Sequence, residues 1–481
     1  MGERAAILSC NSVEFVEIFF AVAKLGGILV PVNYMLRATG VEYAPADSGA
    51  TWLFADEHGI EIAGGVLDEH PEVRAVEIGA GGGRGIAYEE LAASTGRAPG
   101  LDLASPNDVL LLQYTSALPA SPRARPTPTP PSSQGARPTL TPPSSQGATH
   151  THATVLFNAM HQVPDFRLTE DDVHICAPAL CWAAGPHNIV MPLWWIGGRV
   201  VLQPSGGFDP DGICETIAAE GGTVMIVVAS VLSRLVSSGA FERHDLLRLR
   251  LPATGGEAVS LSVLEAVRGA LPQTDVLQVS GQSEFPTLVA LLSADRALEK
   301  PASTGKATSL CDLRVVDAEG REPTPNEHGE IICRSPATMI GYWEKSEQTA
   351  ATIVAGGLWT GDRGYSDEDG FLYIAGRSME MYISGGLNVY PAEIEVVPAS
   401  HPDVSEAAVR GVPHDSLGEV GCAFVVGDGL ELEQVGAFCR DRLATYKVPK
   451  SWVPRAEPLP RTASGKLEKH RLEVPPETAG A

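Results

Sequence analysis

The chain has 481 residues, 44% of them hydrophobic, and a mean hydropathy of +0.03, which is typical of a globular protein with two to four domains. Its 59 acidic and 35 basic residues give a net charge of −24, which argues against nucleic acid or an anionic membrane as a partner. No apolar run reaches the ~18 residues that a membrane span needs, and no signal-peptide pattern opens the chain.

The cysteines give no sign of a metal site. None of the 8 cysteines stands in a CxxC or Cys/His ligand spacing. We therefore expect reduced, buried thiols in a cytoplasmic protein.

The first predicted element is a helix near the N-terminus. Residues 11–14 (Asn-Ser-Val-Glu) resemble a capping box, and Phe15, Ile18, Phe19 and Val22 would share one apolar face. Two glycines then end the pattern, so we expect the helix to stop before residue 26.

Parallel α/β layering is predicted for most of the chain. Residues 27–32 have the composition of a buried strand, and a helix–turn–strand alternation returns at 153–202, 211–228 and 261–279. Residues 310–336 change to a pattern typical of β-hairpins. After about residue 380, roughly a hundred residues predict a small α+β unit that is large enough to fold alone.

One segment interrupts this order. Residues 124–135 (ARPTPTPPSSQG) are followed directly by 136–147 (ARPTLTPPSSQG), which differ only by Pro128 against Leu140. A tandem repeat this rich in Pro, Ser and Thr cannot build a core, so we expect an extended, mobile loop.

The most informative motif closes the chain. Residues 460–467 (Pro-Arg-Thr-Ala-Ser-Gly-Lys-Leu) place Lys466 at the tip of a small-residue turn. A lysine held there is a mobile positive charge that can reach an anionic centre. A solvated tail lysine is the alternative, but the motif follows Trp359-Thr360-Gly361-Asp362 and Gly376-Arg377.

Together with residues 385–395 (GGLNVYPAEIE), these motifs resemble, in order and spacing, the acyl-adenylate-forming enzymes, which include acyl-CoA synthetases and adenylation domains. The resemblance covers about residues 5 to 472. It implies a layered α/β domain with a β subdomain over residues 1–379, and a small mobile α+β lid domain over 380–481. Relative to that family the chain starts late, so an N-terminal truncation is expected.

Within that resemblance, three motifs imply a nucleotide site. Asp362 has the acceptor pair needed to clamp the ribose hydroxyls; a turn-capping Asp is the alternative. Arg377 would hold ribose or phosphate. Adenine would stack on a loop whose glycines permit a close approach, Gly255-Gly256-Glu257.

The catalytic residues implied by the resemblance are Glu284 and Lys466. Glu284 ends a run that resembles the family's Gly-x-Thr-Glu element and is a hard oxygen ligand suited to Mg²⁺. Ser283 replaces the Thr and keeps its hydroxyl. Lys466 would bridge the substrate carboxylate and the α-phosphate as charge develops. The whole element is Ser280-Gly281-Gln282-Ser283-Glu284.

Other motifs imply domain rotation and a CoA site. Glu380 stands where the family has an Asp hinge. Gly385 and Gly386 would line the pantetheine tunnel after rotation, with an ordinary turn as the alternative. Cys181-Trp182 falls where many relatives carry an aromatic–His pair near the acyl pocket, which leaves the acid open.

The phosphate loop departs from the family. Tyr114-Thr115-Ser116 opens as expected, but Ser-Gly-Thr-Thr-Gly-x-Pro-Lys-Gly is replaced by residues 116–125 (SALPASPRAR). The amides that would cradle pyrophosphate are reduced in number, because two prolines have no N–H. Thr115 and Ser116 remain candidate ATP contacts.

A frameshift would account for this replacement. Deleting one G from TCG GGC ACT ACC GGC CTC CCC AAG GGC GCG yields Ser-Ala-Leu-Pro-Ala-Ser-Pro-Arg-Ala. We therefore interpret 117 to about 147 as an out-of-frame, duplicated stretch whose frame returns near Thr149; a genuine divergent loop is the alternative.

The resemblance implies an ATP-dependent acid–CoA ligase that acts on a fatty or aromatic acid, uses Mg²⁺, and releases pyrophosphate and AMP. It allows a homodimer. Two alternatives stay open. One is an enzyme that loads a separate carrier protein, and the other is a non-catalytic acyl- or nucleotide-binding relative, which is compatible with the altered loop.

Overall fold

The structure is a computed structural model that describes residues 2–36, 41, 43–79, 83–94, 104–114, 146–205, 207–256, 259, 261–300, 302–317, 319–377, 380–384, 387–414, 417–427, 429–461 and 467–475. Several candidate residues lie outside the described residues: Thr115, Ser116, Glu257, Gly385, Gly386 and Lys466.

The first part of the chain alternates strands with helices. Its elements are β1 (Arg4–Leu8), α1 (Val13–Lys24), β2 (Ile28–Pro31), α2 (Tyr43–Ser48), β3 (Trp52–Asp56), α3 (Glu57–Ile62), α4 (Gly64–Glu69), β4 (Arg74–Ile78), β5 (Ile86–Ala87), α5 (Tyr88–Ala92) and β6 (Val109–Tyr114).

The alternation continues after the proline-rich segment. The elements are β7 (Gly147–Thr151), α6 (His152–Asp165), β8 (Val173–Cys176), α7 (Ala184–His187), α8 (Val190–Ile196), β9 (Arg199–Leu202), α9 (Pro210–Glu220), β10 (Val224–Val228), α10 (Ala229–Ser237), α11 (Ala240–Arg243), β11 (Leu251–Gly255), α12 (Leu261–Ala270), β12 (Leu277–Gln282), β13 (Phe285–Ser293), α13 (Ala294–Glu299) and β14 (Lys306–Ala307).

The last part is richer in strands. It contains β15 (Asp312–Val316), β16 (Gly329–Arg334), β17 (Gly341–Tyr342), α14 (Ser346–Thr352), β18 (Ile353–Val354), β19 (Gly357–Ser366), β20 (Leu372–Arg377), β21 (Tyr382–Ser384), β22 (Leu387–Val389), α15 (Pro391–Ala399), β23 (Glu406–His414), β24 (Gly418–Val426), α16 (Leu432–Arg440), β25 (Ser451–Arg455) and a 3-10 turn (Lys469–Arg471).

These strands form four sheets. The first sheet has the order β17-β7-β6-β2-β1-β3-β4-β5, and the second β14-β13-β12-β11-β10-β8-β9. The third joins β15, β16, β19, β18 and β20, and the fourth joins β22, β21, β24, β23 and β25. Strands β9, β8, β10, β11 and β12 run parallel, whereas neighbours in the third sheet are antiparallel. The predicted α/β layers, β subdomain and C-terminal α+β unit are confirmed.

Helix α1 confirms the predicted apolar face. Phe15, Ile18, Phe19 and Val22 are buried in a core cluster that also includes side chains from β1 and β8. The helix therefore packs against both of the large sheets, which explains why its apolar stripe needs four large side chains.

The predicted capping box is wrong by one residue. The N-cap is Ser12, whose hydroxyl accepts from the backbone N–H of Phe15, so the third helical position is Phe15 and no carboxylate reciprocates. Asn11 instead serves long-range contacts: its Nδ2 donates to the carbonyl of Pro178 at 3.0 Å, and its Oδ1 accepts from the N–H of Leu180 at 2.7 Å.

The predicted burial of the cysteines is confirmed for most of them. Seven of the eight, all but Cys10, are buried. No helix among the described residues has both the length and the apolarity to cross a bilayer.

Candidate active site

Two of the predicted motifs meet at one edge of the second sheet. Strands β11 and β12 are adjacent and parallel, with Gly255 opposite Val279. Their carboxyl ends therefore carry Gly255-Gly256 and Ser280–Glu284 to the same edge. Ligands of open α/β sheets bind in the crevice outside the carboxyl ends of parallel strands, so this edge is the candidate site.

The first glycine at this edge is required by its neighbour. A Cβ on Gly255 would lie 2.3 Å from the carbonyl oxygen of Val279, so no other residue fits without moving the strands apart. Gly256 has φ +84°, a left-handed conformation that side chains disfavour. The pair lets the chain leave β11 sharply, beside the turn that carries Glu284.

Glu284 lies in the turn between β12 and β13. Its Oε1 accepts a hydrogen bond from the Tyr342 hydroxyl at 2.9 Å, and its backbone carbonyl accepts from the N–H of Met339 at 2.8 Å. The carboxylate is half-buried, and no cationic side chain in the described part of the chain forms an ion pair with it. Its charge is therefore left for a ligand.

The same turn is held from the other side by His150. His150 Nε2 donates to the carbonyl of Ser283 at 2.8 Å, because a carbonyl can only accept. Burial lowers the pKa of His150 to about 4, against the smaller opposing effect of this hydrogen bond. The ring is therefore neutral near pH 7. Neither His150 nor Tyr342 is among the predicted site residues, because neither contact is local in sequence.

The predicted phosphate loop begins where strand β6 ends, and that end of β6 is paired with strand β7. Tyr114 at the end of β6 lies opposite Gly147 at the start of β7, so Thr115 and Ser116 follow directly from an ordered anchor. Asp47 Oδ2 accepts from the Tyr114 hydroxyl at 2.8 Å, and its Oδ1 lies 3.1 Å from Lys345 Nζ. Strand β7 begins at Gly147, the last residue of the segment predicted to be out of frame.

Asp362 and Arg377 are brought together in the third sheet. They face one another in the antiparallel pair β19–β20, beside Gly361 at φ +76° and Gly376 at φ +133°. The Asp362 N–H donates to Thr360 Oγ1 at 3.1 Å, and the side chain is half-exposed. A carboxylate in that position is accessible to a ligand.

Cys181 is buried in the core cluster that also contains residues of α1 and of strand β1. Its carbonyl accepts from Gln113 Nε2 at 3.1 Å, and burial raises the pKa of its thiol to about 12. The thiol is therefore protonated near pH 7 and cannot act as a nucleophile there. The indole N–H of Trp182 is buried without a hydrogen-bond partner among the residues described.

The C-terminal unit contacts the third sheet through aromatic rings. The His328 ring stacks on Tyr390, with centroids 5.2 Å apart and planes at 5°, and its Nε2 lies 3.4 Å from Glu393 Oε1. Lys447 Nζ donates to Glu393 Oε2 at 2.5 Å. Burial lowers the pKa of His328, opposed by the charge of Glu393. No motif in the sequence predicts this contact, because His328 and Tyr390 are far apart along the chain.

The donor set at Glu284 fits a metal that is also bound by its substrate. The described residues contain no group of three or more His, Cys, Asp or Glu side chains that could hold a metal alone. Mg²⁺ is commonly bound by one or two carboxylates together with substrate phosphates. Glu284 supplies one such hard oxygen ligand without a competing protein cation.

Comparison with known proteins supplies the family. The model described as AMP-binding enzyme matches residues 1–117 and 145–343, and the model of the AMP-binding enzyme C-terminal domain matches 393–466. The gap between the first two ranges, residues 118–144, lies within residues 117–147, the stretch interpreted above as out of frame.

Three individual relatives illustrate the similarity. The chain is 31% identical to the indoleacetate–CoA ligase of Aromatoleum aromaticum over 96% of this chain and 86% of that one. It is 33% identical to the 2-succinylbenzoate–CoA ligase of Geobacillus kaustophilus over 98% and 88%. The crystal structure of an anthranilate CoA ligase in complex with anthranoyl-AMP superposes with a TM-score of 0.84 at 25% identity, covering 98% of this chain and 87% of that one.

Proposed function

The chain belongs to the family of AMP-binding enzymes, and from this premise we propose that it joins an aromatic carboxylic acid to CoA through an acyl-adenylate. The general reaction is that of an acid–thiol ligase. The observation that carries the proposal is the meeting of Gly255-Gly256 with the Ser280–Glu284 turn at the carboxyl edge of two adjacent parallel strands.

The first half-reaction forms the adenylate. A substrate carboxylate oxygen attacks the α-phosphorus of ATP, the bond to the bridging oxygen breaks, and pyrophosphate leaves. In our proposal Gly255, Gly256 and Glu257 receive adenine, Asp362 and Arg377 hold ribose or phosphate, and Lys466 stabilises the negative charge that develops between carboxylate and phosphate. Thr115 and Ser116 would contact the leaving phosphates, together with Ser280, Gly281, Gln282 and Ser283.

Glu284 would hold the metal in this half-reaction. When bound, Mg²⁺ supplies charge neutralisation to the phosphate oxygens. The protein's contribution is a carboxylate whose position is fixed by Tyr342 at Oε1 and by His150 through the Ser283 carbonyl. Neither partner brings a positive charge to Glu284, because burial lowers the pKa of His150 to about 4 and the Tyr342 phenol is not a cationic group, so they orient Glu284 without neutralising it.

The second half-reaction transfers the acyl group. The CoA sulfur attacks the acyl carbon, the acyl–oxygen bond breaks, AMP leaves, and the thiol proton is released. One site can serve both reactions if the C-terminal unit rotates about residue 380, which brings Gly385 and Gly386 to the pantetheine arm. Cys181 takes no part as a nucleophile, since its thiol is protonated.

The aromatic class is supported by the acids named in the relatives. Indoleacetate, 2-succinylbenzoate and anthranilate each carry an aromatic ring, although a fatty acyl CoA synthetase of Mycobacterium tuberculosis is also similar, with a TM-score of 0.72 at 28% identity. The test is a comparison of kcat/KM for aryl and arylalkyl acids against straight-chain fatty acids. A preference for the fatty acids would overturn the aromatic class and leave the ligase class intact.

Two assays separate the proposed function from its alternatives. Acid-dependent exchange of labelled pyrophosphate into ATP distinguishes an adenylating enzyme from a binding protein. CoA-dependent release of AMP distinguishes a CoA ligase from an enzyme that loads a carrier protein. Absence of both, in a chain whose phosphate loop has been restored, would leave only the binding protein. The use of Mg²⁺, a cytoplasmic location and a homodimer stay predictions.

A further inference from the structure

A short segment ties the Glu284 turn to the strand that follows the phosphate loop. We call residues 339–343 the strap. The N–H of Met339 donates to the carbonyl of Glu284 at 2.8 Å, that of Ile340 to Thr149 at 2.9 Å, and that of Trp343 to Gly147 at 2.8 Å. The strap therefore contacts the second sheet at one end and the first sheet along its length.

Within the strap, the backbone of Tyr342 is fixed from two directions. It pairs with Ala148 of β7, and its N–H donates to Thr349 Oγ1 of α14 at 2.9 Å. The preceding Gly341 makes the close approach possible, because a Cβ there would lie 2.6 Å from Thr349 Cγ2. With its backbone held in this way, the Tyr342 side chain has little freedom to change direction.

The Tyr342 ring is also packed. Only 8% of Tyr342 is exposed, and its ring belongs to the same core cluster as Phe285, Cys311 and Cys333. The hydroxyl at the end of this ring is the group that donates to Glu284 Oε1 at 2.9 Å. Because its ring is packed and its backbone is held, the Tyr342 hydroxyl donates from a fixed position and so orients the Glu284 carboxylate.

We propose that Tyr342 is a positioning residue for the metal: its hydroxyl holds Glu284 Oε1 so that Oε2 points to the divalent cation that accompanies ATP. Oε2 receives no hydrogen bond from the part of the chain that the structure describes. In this role Tyr342 acts through Glu284, to whose Oε1 it donates, and not on the metal directly. The inference rests on the proposed role of Glu284 as a metal ligand.

A neutral donor suits this task better than a cation. A lysine or arginine in the place of Tyr342 would neutralise Glu284 and compete with the metal for it. A phenol leaves the negative charge on the carboxylate and removes its freedom to rotate. Hydrogen-bond partners of metal ligands contribute about 10–100-fold to metal affinity in other proteins.

The test measures how much the metal strengthens ATP binding, and so it does not need turnover. The dissociation constant of a fluorescent ATP analogue is measured for the full chain in excess Mg²⁺ and in excess EDTA. The ratio of interest is the dissociation constant in EDTA divided by that in Mg²⁺, which exceeds one when the metal strengthens binding. For Tyr342→Phe we expect this ratio to fall about tenfold toward one, while the dissociation constant in EDTA stays equal to that of the wild-type protein. A purely structural role would weaken binding under both conditions.

Two variants complete the design. Tyr88→Phe is the matched control, because it also removes a phenol that donates to a carboxylate. The Tyr88 hydroxyl donates to Glu17 at 2.5 Å, at the far edge of the first sheet. The ratio for Tyr88→Phe should equal that of the wild-type protein. Glu284→Gln should bring the ratio close to one, and Tyr342→Phe should add nothing in that background. A cooperative thermal unfolding transition confirms that each variant is folded.

Several outcomes would overturn the inference. A wild-type ratio for Tyr342→Phe would show that its hydroxyl does not serve the metal. A ratio of one for the wild-type chain, or an unchanged ratio for Glu284→Gln, would remove the metal from Glu284. If Tyr342→Phe does not fold, Glu284→Gln still tests the metal role of Glu284 on which the inference rests. Failure of the proposed function is a separate result, because it would appear as missing adenylate formation while metal-dependent ATP binding is kept.

Discussion

Lys469 Nζ lies 2.8 Å from Glu380 Oε2 and so ties the turn near the end of the chain to the predicted hinge residue. The same nitrogen lies 2.9 Å from Glu395 Oε1. The side chains of Lys469 and Glu395 are only 15% and 16% exposed, whereas that of Glu380 is 42% exposed. Lys469 is therefore shared between one buried and one solvated carboxylate.

Replacing Lys469 and replacing its exposed partner Glu380 should reduce stability by unequal amounts. Burial raises the pKa of Glu395, and Lys469 opposes that rise. Lys469→Met leaves the buried carboxylate without its cation, and we expect a loss of about 3 kcal/mol in the free energy of unfolding. Glu380→Gln removes only the exposed partner and should cost less than about 1 kcal/mol. Urea unfolding of both variants measures the difference; equal losses would contradict the assignment of the buried pair.

Stability should fall steeply below pH 6.5 because of three buried histidines. Burial lowers the pKa of His150 to about 4, of His174 to about 4 and of His187 to about 3, from the ordinary 6.5. Between pH 6.5 and about 4 these rings are protonated in the unfolded chain and neutral in the folded one. Unfolding then takes up three protons, so falling pH favours the unfolded state, by about 4 kcal/mol per pH unit for three groups.

The measurement for the histidines is the free energy of unfolding from pH 7 to pH 5. His174→Gln should reduce the slope by about one third, because one of the three protons is no longer taken up. His58→Gln serves as a control, since His58 is exposed on α3. A slope for His174→Gln equal to that of the wild-type protein would mean that His174 is protonated in the folded state.

Asp362→Ala should weaken ATP binding without unfolding the protein. The carboxylate is half-exposed and lies opposite Arg377, where it can meet the ribose hydroxyls. We expect about tenfold weaker binding or more, because hydrogen bonds to charged groups contribute about 1.5–3 kcal/mol. Asp369→Ala, in the exposed turn between β19 and β20, is the control. A lower melting temperature together with unchanged ATP affinity would instead identify Asp362 as a structural cap.

The sequence predicted the parts of this molecule that depend on local patterns. The apolar face of α1, the parallel strands β8 to β12 and the β subdomain follow from periodicity and turn residues, and all three are confirmed. The capping box was wrong because Asn11 and Ser12 are both good caps, and the contacts of Asn11 with Pro178 and Leu180 decide between them.

The support of the site could not be predicted in that way. His150 contacts a residue 133 positions away, and Tyr342 one 58 positions away. Neither spacing leaves a local pattern, so only the folded chain brings them to Glu284. A histidine after the phosphate loop was visible in the sequence, but its burial and its neutral state depend on the packing of two sheets.

Lys466 should serve adenylation more than thioester formation. Its motif places a charge-assisted donor at the α-phosphate, and losing such a donor costs about 10²–10³ in rate. In a chain with a restored phosphate loop, Lys466→Ala should depress acyl-AMP formation while preformed acyl-AMP still reacts with CoA. Lys450→Ala is the control, because Lys450 is an exposed lysine of the same C-terminal unit. Equal loss in both half-reactions would contradict the role.

The altered phosphate loop should limit the chain more than any other feature. The glycines that would present backbone amides to pyrophosphate are absent there, two prolines have no N–H, and Arg123 alone cannot replace a ring of fixed dipoles. The two residues on either side of the segment are close enough for a shorter loop, because Tyr114 and Gly147 are paired across β6 and β7. The Tyr114 hydroxyl also donates to Asp47. Rebuilding residues from Ser116 as Ser-Gly-Thr-Thr-Gly-Leu-Pro-Lys-Gly, joined near Thr149, should raise pyrophosphate exchange by orders of magnitude.

A matched control for the rebuilt loop keeps its length but lacks its lysine and two of the glycines that permit the loop's backbone conformation. The same replacement with Lys changed to Ala and the first two glycines changed to Ala should restore little exchange, since it shortens the segment without supplying the cation or the permissive backbone. Comparable exchange in the chain as written and in the rebuilt chain would show that the altered loop is functional. Genomic reads across codons 113–153 that encode residues 117–147 unchanged would exclude a sequencing error and leave a real mutation or a divergent loop.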